Sequence, residues 1–95
     1  MKNLIHAKIV IYNDQVVFKD TEIVKENISD EEIIEMKNDG LIADRNDLNK
    51  DLVYHTYSIS SFVVVDQETG EQVVLDRYIT QLSNDIIKAV LTKIH

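Results

Sequence analysis

A run of alternating residues that ends in a turn restricts the fold of this chain more than any other feature. In LIHAKIVIY, residues 4–12, apolar side chains recur at every second position, which is the period of a β-strand with one buried face. Asn13-Asp14 follows, and both residue types tolerate the positive φ angles of a two-residue hairpin loop. The pairs that this loop would set are Ile11–Val16 and Ile9–Phe18. The sequence therefore predicts a first β-hairpin.

A second hairpin is predicted from about Leu52 onwards. Glu68-Thr69-Gly70 fits a three-residue hairpin loop with Gly70 in the left-handed conformation. The pairs that this loop would set are Val65–Val73, Val63–Leu75, Ser61–Arg77 and Ile59–Ile79. A two-residue Thr-Gly loop would mix apolar and charged side chains on both faces, so the three-residue loop is favoured. A strand from 52 to 65 is long for so small a domain, which makes Ser60-Ser61 a candidate bulge.

Two helices are predicted, one after each hairpin. Ser29-Asp30-Glu31-Glu32 has the pattern of a capping box, and Gly40 is placed to end this first helix. The second helix is predicted from an apolar stripe at helical spacing, with Thr80 or Ser83 as its cap. The stripe consists of Leu82, Ile86, Ile87, Val90, Leu91 and Ile94.

The predicted fold class is α+β, in a single domain that spans residues 1–95. Its expected architecture is a two-layer ββα-ββα domain, in which a four-stranded antiparallel sheet carries both helices mainly on one face. Two alternatives stay open at this point. The helices could pack on opposite faces, or strands could be exchanged between two chains.

The charge of the chain argues against nucleic acid as a direct partner, and the length of its apolar runs argues against a membrane. Its formal net charge is −7, and residues 20–51 alone carry eleven acids and four bases. Such a chain repels phosphate backbones, and its basic residues do not cluster. No apolar run approaches the roughly 20 residues that span a bilayer, and no signal-peptide cleavage site follows the first strand. We therefore expect a cytoplasmic protein, and the composition is typical of a low-GC bacterium or its phage.

The sequence carries few of the patterns that catalysis or cofactor binding needs. There is no cysteine, which removes thiol nucleophiles, disulfides and zinc–thiolate sites. The three histidines lie on three different predicted elements, and only two glycines are present. Neither a helical histidine pair nor a Gly-rich phosphate loop is therefore predicted. We expect no metal site and no cofactor.

The stretch YHTYSISS, residues 54–61, combines a histidine with several hydroxyl groups, as a serine nucleophile with its base would. Strand alternation separates these groups. Among the serines only Ser61 shares a face with His55, and six residues place it about 20 Å away along the strand. We therefore predict no catalytic residues and a protein that is not an enzyme.

The predicted register divides the second hairpin into a helix-covered face and a free face. The covered face would carry Tyr57, Ile59, Val63 and Val65. The free face would carry aromatic and aliphatic side chains among small hydroxyls, which is the chemistry of a protein-binding surface. Its predicted partner-binding residues are Tyr54, Phe62, Val64, Val74 and Tyr78. A second partner-binding surface is predicted on the first helix and consists of Glu31, Glu32, Glu35 and Asp39.

The leading functional hypothesis is a small acidic interaction protein without enzymatic activity. It would act as an inhibitor or adaptor on a basic protein, for example one that processes nucleic acid, by analogy with small phage inhibitors that imitate the charge of DNA. One alternative is a small-molecule or anion-binding domain, in which Arg77 holds the anion and His55 and Tyr57 complete the site. Another is a structural homodimer that buries the free sheet face.

Overall fold

The computed structural model describes residues 1–47 and 55–94. Its elements follow the order β1 (Lys2–Tyr12), β2 (Gln15–Ile28), α1 (Asp30–Asn38), β3 (Tyr57–Asp66), β4 (Gln72–Gln81) and α2 (Asn84–Ile94). The strands form one antiparallel sheet in the order β2-β1-β3-β4. The predicted α+β class is confirmed, with four antiparallel strands and two helices.

β1 and β2 form the predicted first hairpin. Asn13 and Asp14 have φ angles of 49° and 64°, as the two-residue loop requires. The pairs next to the loop are Ile11–Val16, as predicted, and Val10–Phe18. The predicted pairing of Ile9 with Phe18 is wrong, because the register shifts by one residue between these two pairs. Alternation within one strand does not show a bulge in its partner.

β2 has three residues more than β1, 14 against 11, although the two strands pair from end to end. Each of the three register shifts between them adds one residue to β2. Extra residues of this kind form β-bulges, which bend a strand and increase its twist. At the shift farthest from the loop, Asn27 has a φ of 54°, and its N–H donates to Asn3 Oδ1 at 3.2 Å. β2 is therefore a bent edge strand.

β3 and β4 form the second hairpin, whose register agrees with the prediction only far from the loop. Ser61–Arg77 and Ile59–Ile79 pair as predicted. Val63 pairs with Val74 and not with Leu75, because Leu75 is an extra residue in β4 opposite the step from Phe62 to Val63. The bulge of this hairpin therefore lies at Leu75. At Ser60-Ser61, the candidate bulge of the sequence, the register of β3 with both neighbours is continuous.

The loop between β3 and β4 explains the bulge. Gly70 has a φ of 74°, as predicted. Asp66 N–H donates to Glu71 O at 2.9 Å, so the loop contains the four residues 67–70, one more than predicted. The extra loop residue shifts the register by one, and the bulge at Leu75 restores the register that the apolar pairs favour.

α1 begins and ends where the sequence predicts. Ser29 is its N-cap: Ser29 Oγ accepts from Glu32 N–H at 3.2 Å, and Glu32 Oε1 accepts from Ser29 N–H at 3.4 Å. At the other end, Gly40 has a φ of 77°. The N–H groups of Gly40 and Leu41 donate to carbonyls of the last helical turn at 3.1 and 2.9 Å, which is a Schellman motif.

The main core lies on the sheet face that the sequence predicts to be free, so this prediction is wrong. Its buried cluster consists of Leu4, Ile28, Ile42 and Val64. The partly buried side chains packed against this cluster are Ile33, Met36, Phe62 and Leu75. Ile42 lies two residues after Gly40 in the short apolar run Leu41-Ile42-Ala43, which has no period that would identify the buried residue. Both sheet faces are apolar in sequence, so alternation alone does not select the covered one.

α2 starts after Ser83, one of its two predicted caps. Ser83 Oγ accepts from Ile86 N–H at 3.3 Å, and Ser83 O accepts from Ile87 N–H at 3.0 Å. Ile87 is 2% exposed, whereas Ile86 is 52% exposed. Within the predicted apolar stripe, Ile87 is thus a buried position and Ile86 a solvent-facing one.

Candidate functional site

α1 presents a row of carboxylates to solvent. Glu31, Glu35 and Asp39 are exposed and follow the i, i+4, i+8 spacing that places side chains along one side of a helix. Glu32, the fourth predicted acid, is turned away from this row: it caps Ser29 and forms an ion pair with Lys25. Three of the four predicted helix residues are therefore available to a partner.

An apolar groove lies between α1 and the hairpin of β3 and β4, and Asp30 is the α1 acid that lines it. Its volume is about 260 Å³. Its apolar walls are Ile33, Ile34, Val64, Val73 and Leu75. Ile34 is 57% exposed and Val73 is 54% exposed, so the groove opens to solvent between these two side chains. We refer to these five residues as the groove.

The charged rim of the groove is mainly acidic. Lys2 and Asp30 line one side, with Lys2 Nζ 3.9 Å from Asp30 Oδ1. A second hollow of about 200 Å³ shares Lys2, Val64 and Val73 with the groove and adds Asp66 and Glu71. The residues that line the groove and this hollow therefore include three carboxylates and one base, Lys2.

Asp66 is fixed in its ionised form by the hairpin loop. The N–H groups of Thr69 and Glu68 donate to Asp66 Oδ1 at 3.1 and 2.9 Å. These hydrogen bonds favour the carboxylate and hold the pKa of Asp66 below its usual range. The negative charge at this end of the rim is therefore present throughout the neutral pH range.

Described residues that follow α1 cover one half of the outer edge of β4. Arg77 N–H donates to Arg45 O at 2.9 Å, and Asn46 pairs with Arg77 in a parallel bridge. Ile79 N–H donates to Asp47 Oδ2 at 3.2 Å. Within the described ranges, no corresponding segment pairs with Gln72–Leu75, the half of β4 that borders the groove.

Asp76 attaches the segment after α1 to β4. Its carboxylate is 1% exposed and accepts from Arg45 Nε at 2.9 Å, Arg45 Nη2 at 3.0 Å and Ala43 N–H at 3.0 Å. Burial raises the pKa of Asp76. The hydrogen bonds from Arg45 and Ala43 together lower it by more than burial raises it, so the pKa lies below its usual value. The Arg45 guanidinium also lies over the ring of Tyr78, 4.2 Å from its centroid.

The structure corrects the predicted aromatic binding face. Val64 is buried, 5% exposed, in the core cluster against which α1 packs. Phe62 packs against the same cluster and lies 4.9 Å from the His6 ring, and Tyr78 lies beneath Arg45. Val74 is 38% exposed, and Tyr54 lies outside the described residues. The face was predicted free because the sequence gives no sign that α1 and the segment after it fold back over it.

The structure does not bring His55, Tyr57 and Arg77 together. His55 lies at the first hairpin, where its Nδ1 is 2.8 Å from Asp14 Oδ2 and its carbonyl accepts from Asp14 N–H. Tyr57 is at the start of β3, and Arg77 pairs with Ser61, four residues farther along that strand. Four residues of strand correspond to about 13 Å, too far for a shared small anion.

Sequence reasoning missed the groove residues Ile34 and Val73, and it missed the contact between Arg45 and Asp76. Asp76 did carry a signal, because a carboxylate within an otherwise apolar strand needs a partner if it is buried. Its partner lies 31 residues earlier in an irregular segment, where no period identifies it. Ile34 and Val73 belong to runs that predict a helix and a strand but not their exposure.

Comparison with protein-family models, curated proteins and solved structures found no match for this chain. Among the residues that the structure describes, no group of three His, Cys, Asp or Glu side chains is arranged to hold a metal ion. Neither helix is long and apolar enough over its described residues to cross a membrane. The candidate site is therefore the groove together with the acidic row of α1.

Proposed function

We propose that this chain is a small, acidic, non-enzymatic interaction protein that acts as an inhibitor or adaptor on a basic protein. The observation that carries the proposal is the exposed acidic row Glu31, Glu35 and Asp39, on a helix whose Ile33 and Ile34 form one wall of an open apolar groove. Protein-binding surfaces combine such an apolar centre with a charged rim. The centre supplies binding energy and the rim supplies orientation and association rate.

The charge of the chain supports a basic partner. The net charge of −7 makes the electrostatic potential around the chain negative, and the acidic row concentrates negative charge on α1. Opposite charge on a partner accelerates association and disfavours acidic competitors. Proteins that process nucleic acid carry basic surfaces of this kind, so we propose that the partner belongs to this class. We place the complex in the cytoplasm.

A charge-reversal experiment tests the proposal. In the Glu31→Lys/Glu35→Lys variant, we expect partner affinity at low salt to fall by about tenfold or more, with a weaker dependence on salt. The control variant is Glu22→Lys/Glu26→Lys, which makes the same change in net charge at exposed positions of β2. Partners captured by the wild-type chain from host extract are identified by mass spectrometry, and their affinities are then measured for all three proteins.

The comparison between the two variants decides the outcome. Loss of affinity only in the α1 variant supports a specific acidic surface. Equal loss in both variants would reduce the effect to net charge, and equal affinity in all three proteins would remove α1 from the mechanism.

For the layers of the fold, we propose the two-layer ββα-ββα arrangement in which α2 lies with α1 mainly on one sheet face. The support is that most buried residues of β1 and β3 share the face of Leu4 and Val64. On that face lie Leu4, Val10, Ser58, Ser60 and Val64, and on the other lie Ser61 and Val63. Methyl NOEs from Ile87 to Val10 are the expected result. NOEs from Ile87 to Ile9 or Ile59 would place the helices on opposite faces.

A further inference from the structure

We propose that the half of β4 next to the groove, Gln72–Leu75, accepts an extended segment of the partner as an additional strand. An apolar side chain of this segment enters the groove, and flanking Lys or Arg side chains contact the acidic rim. This inference rests on the proposed function, because it specifies how the basic partner is bound. The occupant is an extended segment of another protein, with an apolar residue and basic residues on the same face of the strand.

The backbone geometry of β4 supports strand addition. β4 is an edge strand of the sheet. Asp66 N–H donates to Glu71 O, and hydrogen-bonded and non-hydrogen-bonded pairs alternate along an antiparallel ladder. The N–H and C=O groups of Gln72 and Val74 therefore point away from β3. These are the groups with which an added strand would pair.

The chain itself already uses outward-facing N–H groups of β4. Asn46 forms a parallel bridge with Arg77, Arg45 O accepts from Arg77 N–H, and the side chain of Asp47 accepts from Ile79 N–H. This pairing uses one half of the edge, and the proposed segment uses the other.

The side chains along the open half favour an apolar partner residue. Val73 and Ile34 are more than half exposed on the two sides of the groove, and Leu75 lies in its wall. Burial of apolar surface contributes about 25 cal/mol per Å², so covering these side chains would stabilise a complex. A branched aliphatic residue of the added strand is of suitable size for a groove of about 260 Å³.

The rim charges select basic flanking residues. Asp30 lines the groove, and Asp66 and Glu71 line the adjoining hollow; among the residues that line the two, Lys2 is the one base. Successive strand residues point to opposite faces, so basic side chains two residues before and two residues after the apolar residue would share its face and reach the rim. An acidic segment would be repelled by these carboxylates.

The opposite edge of the sheet does not offer an equivalent site. β2 contains three extra residues relative to β1 and exposes charged side chains along most of its length. Bulges and charges of this kind prevent regular pairing with another strand. β4 has a single extra residue, Leu75, at the end of its open half, so Gln72–Val74 is the regular part of this edge that strand addition would use.

The test selects peptides from a randomised eight-residue library displayed on phage, with the full chain as bait. We expect the enriched peptides to carry Lys or Arg two residues before or after an apolar residue. Synthetic copies should bind the wild-type chain and lose about tenfold or more in affinity for Val73→Asp. The matched control is Val16→Asp, because Val16 is 62% exposed but lies on β2. Dispersed amide spectra establish that both variants are folded.

A second measurement separates strand addition from simple insertion into the groove. N-methylation of alternate backbone amides removes the hydrogen-bond donors of a peptide without changing its side chains. We expect one of the two alternately methylated copies to lose about tenfold or more in affinity. Slower hydrogen exchange is expected at the Gln72 or Val74 amide when the unmethylated peptide is bound.

The outcomes distinguish this inference from the proposed function. Basic peptides that depend on Glu31 and Glu35 but bind Val73→Asp and the methylated copies normally would overturn strand addition and leave the acidic interaction surface standing. Peptides without basic residues, or a library without enrichment, would overturn strand addition as well. Peptide binding that depends neither on Glu31 and Glu35 nor on Val73 would contradict both proposals.

Discussion

Removal of the Asp76 carboxylate tests whether the segment after α1 is held to the sheet by this side chain. In Asp76→Ala, Ala43 N–H loses its acceptor, and both hydrogen bonds to Arg45 are lost. A part-buried donor left without an acceptor costs about 1–3 kcal/mol. Arg45 has a half-exposed side chain, 47%, and becomes hydrated, so we assign it no further loss. The expected decrease in the free energy of unfolding is therefore about 2 kcal/mol.

The assay is thermal unfolding followed by circular dichroism. For a chain of this size, 1 kcal/mol corresponds to about 4–8 °C, so Asp76→Ala should lower the Tm by about 8–16 °C. Asp76→Asn keeps an acceptor for Ala43 N–H and should lose less. The control is Asp44→Ala, an exposed acid in the same segment, whose Tm should change by no more than about 3 °C.

The pH dependence gives an independent check of the same contact. Because the folded-state pKa of Asp76 lies below its unfolded value, its contribution is fully present above about pH 4. It is lost as the pH falls through the folded-state pKa. The Tm difference between wild type and Asp76→Ala should thus be constant between about pH 5 and 8 and narrow only in more acidic solution. An unchanged Tm in Asp76→Ala, or a difference that disappears between pH 5 and 7, would refute this account.

Two further predictions concern α1 and self-association. Ser29→Ala removes the acceptor of Glu32 N–H and should lower the free energy of unfolding by about 1 kcal/mol. Ser29→Asp also provides a favourable cap and should preserve the stability. Equal stability of all three proteins in urea would contradict a contribution from the cap. Light scattering over a range of concentrations should give the monomer mass of 11.0 kDa, because two copies joined through β4 would bring the carboxylates of Asp66 and Glu71 close together. A concentration-independent mass of twice this value would favour the structural homodimer instead.

Local signals in the sequence predicted the elements of the fold and most of their ends. Ser29 and Glu32 predict the start of α1, and Asn13 and Asp14 predict the first turn. Both features could be predicted because a helix cap and a tight turn depend on contacts within a few residues. The register of both hairpins was predicted only in part. A bulge depends on whether the partner strand has an extra residue, and the pattern of a single strand does not contain this information.

The candidate site was less predictable than the fold, because it depends on which sheet face α1 covers. Glu31 and Glu35 were predicted from helical spacing alone, and the structure places them in solvent. Val64 and Phe62 alternate in the same way whether α1 lies above or below the sheet. The choice between the faces involves Ile42 and the contact of Asp76 with Arg45, which join distant parts of the chain.

The three extra residues of β2 also limit how large an assembly this protein can form. A sheet with two regular edges can recruit a strand at each side, and every recruited chain then offers an edge to the next one. Here β2 is a bent edge strand and should not pair with a further chain, so the addition of chains should stop after one partner has bound at β4. A complex formed through β4 should contain one copy of each protein. Higher concentrations of both proteins should increase the amount of this complex without producing filaments.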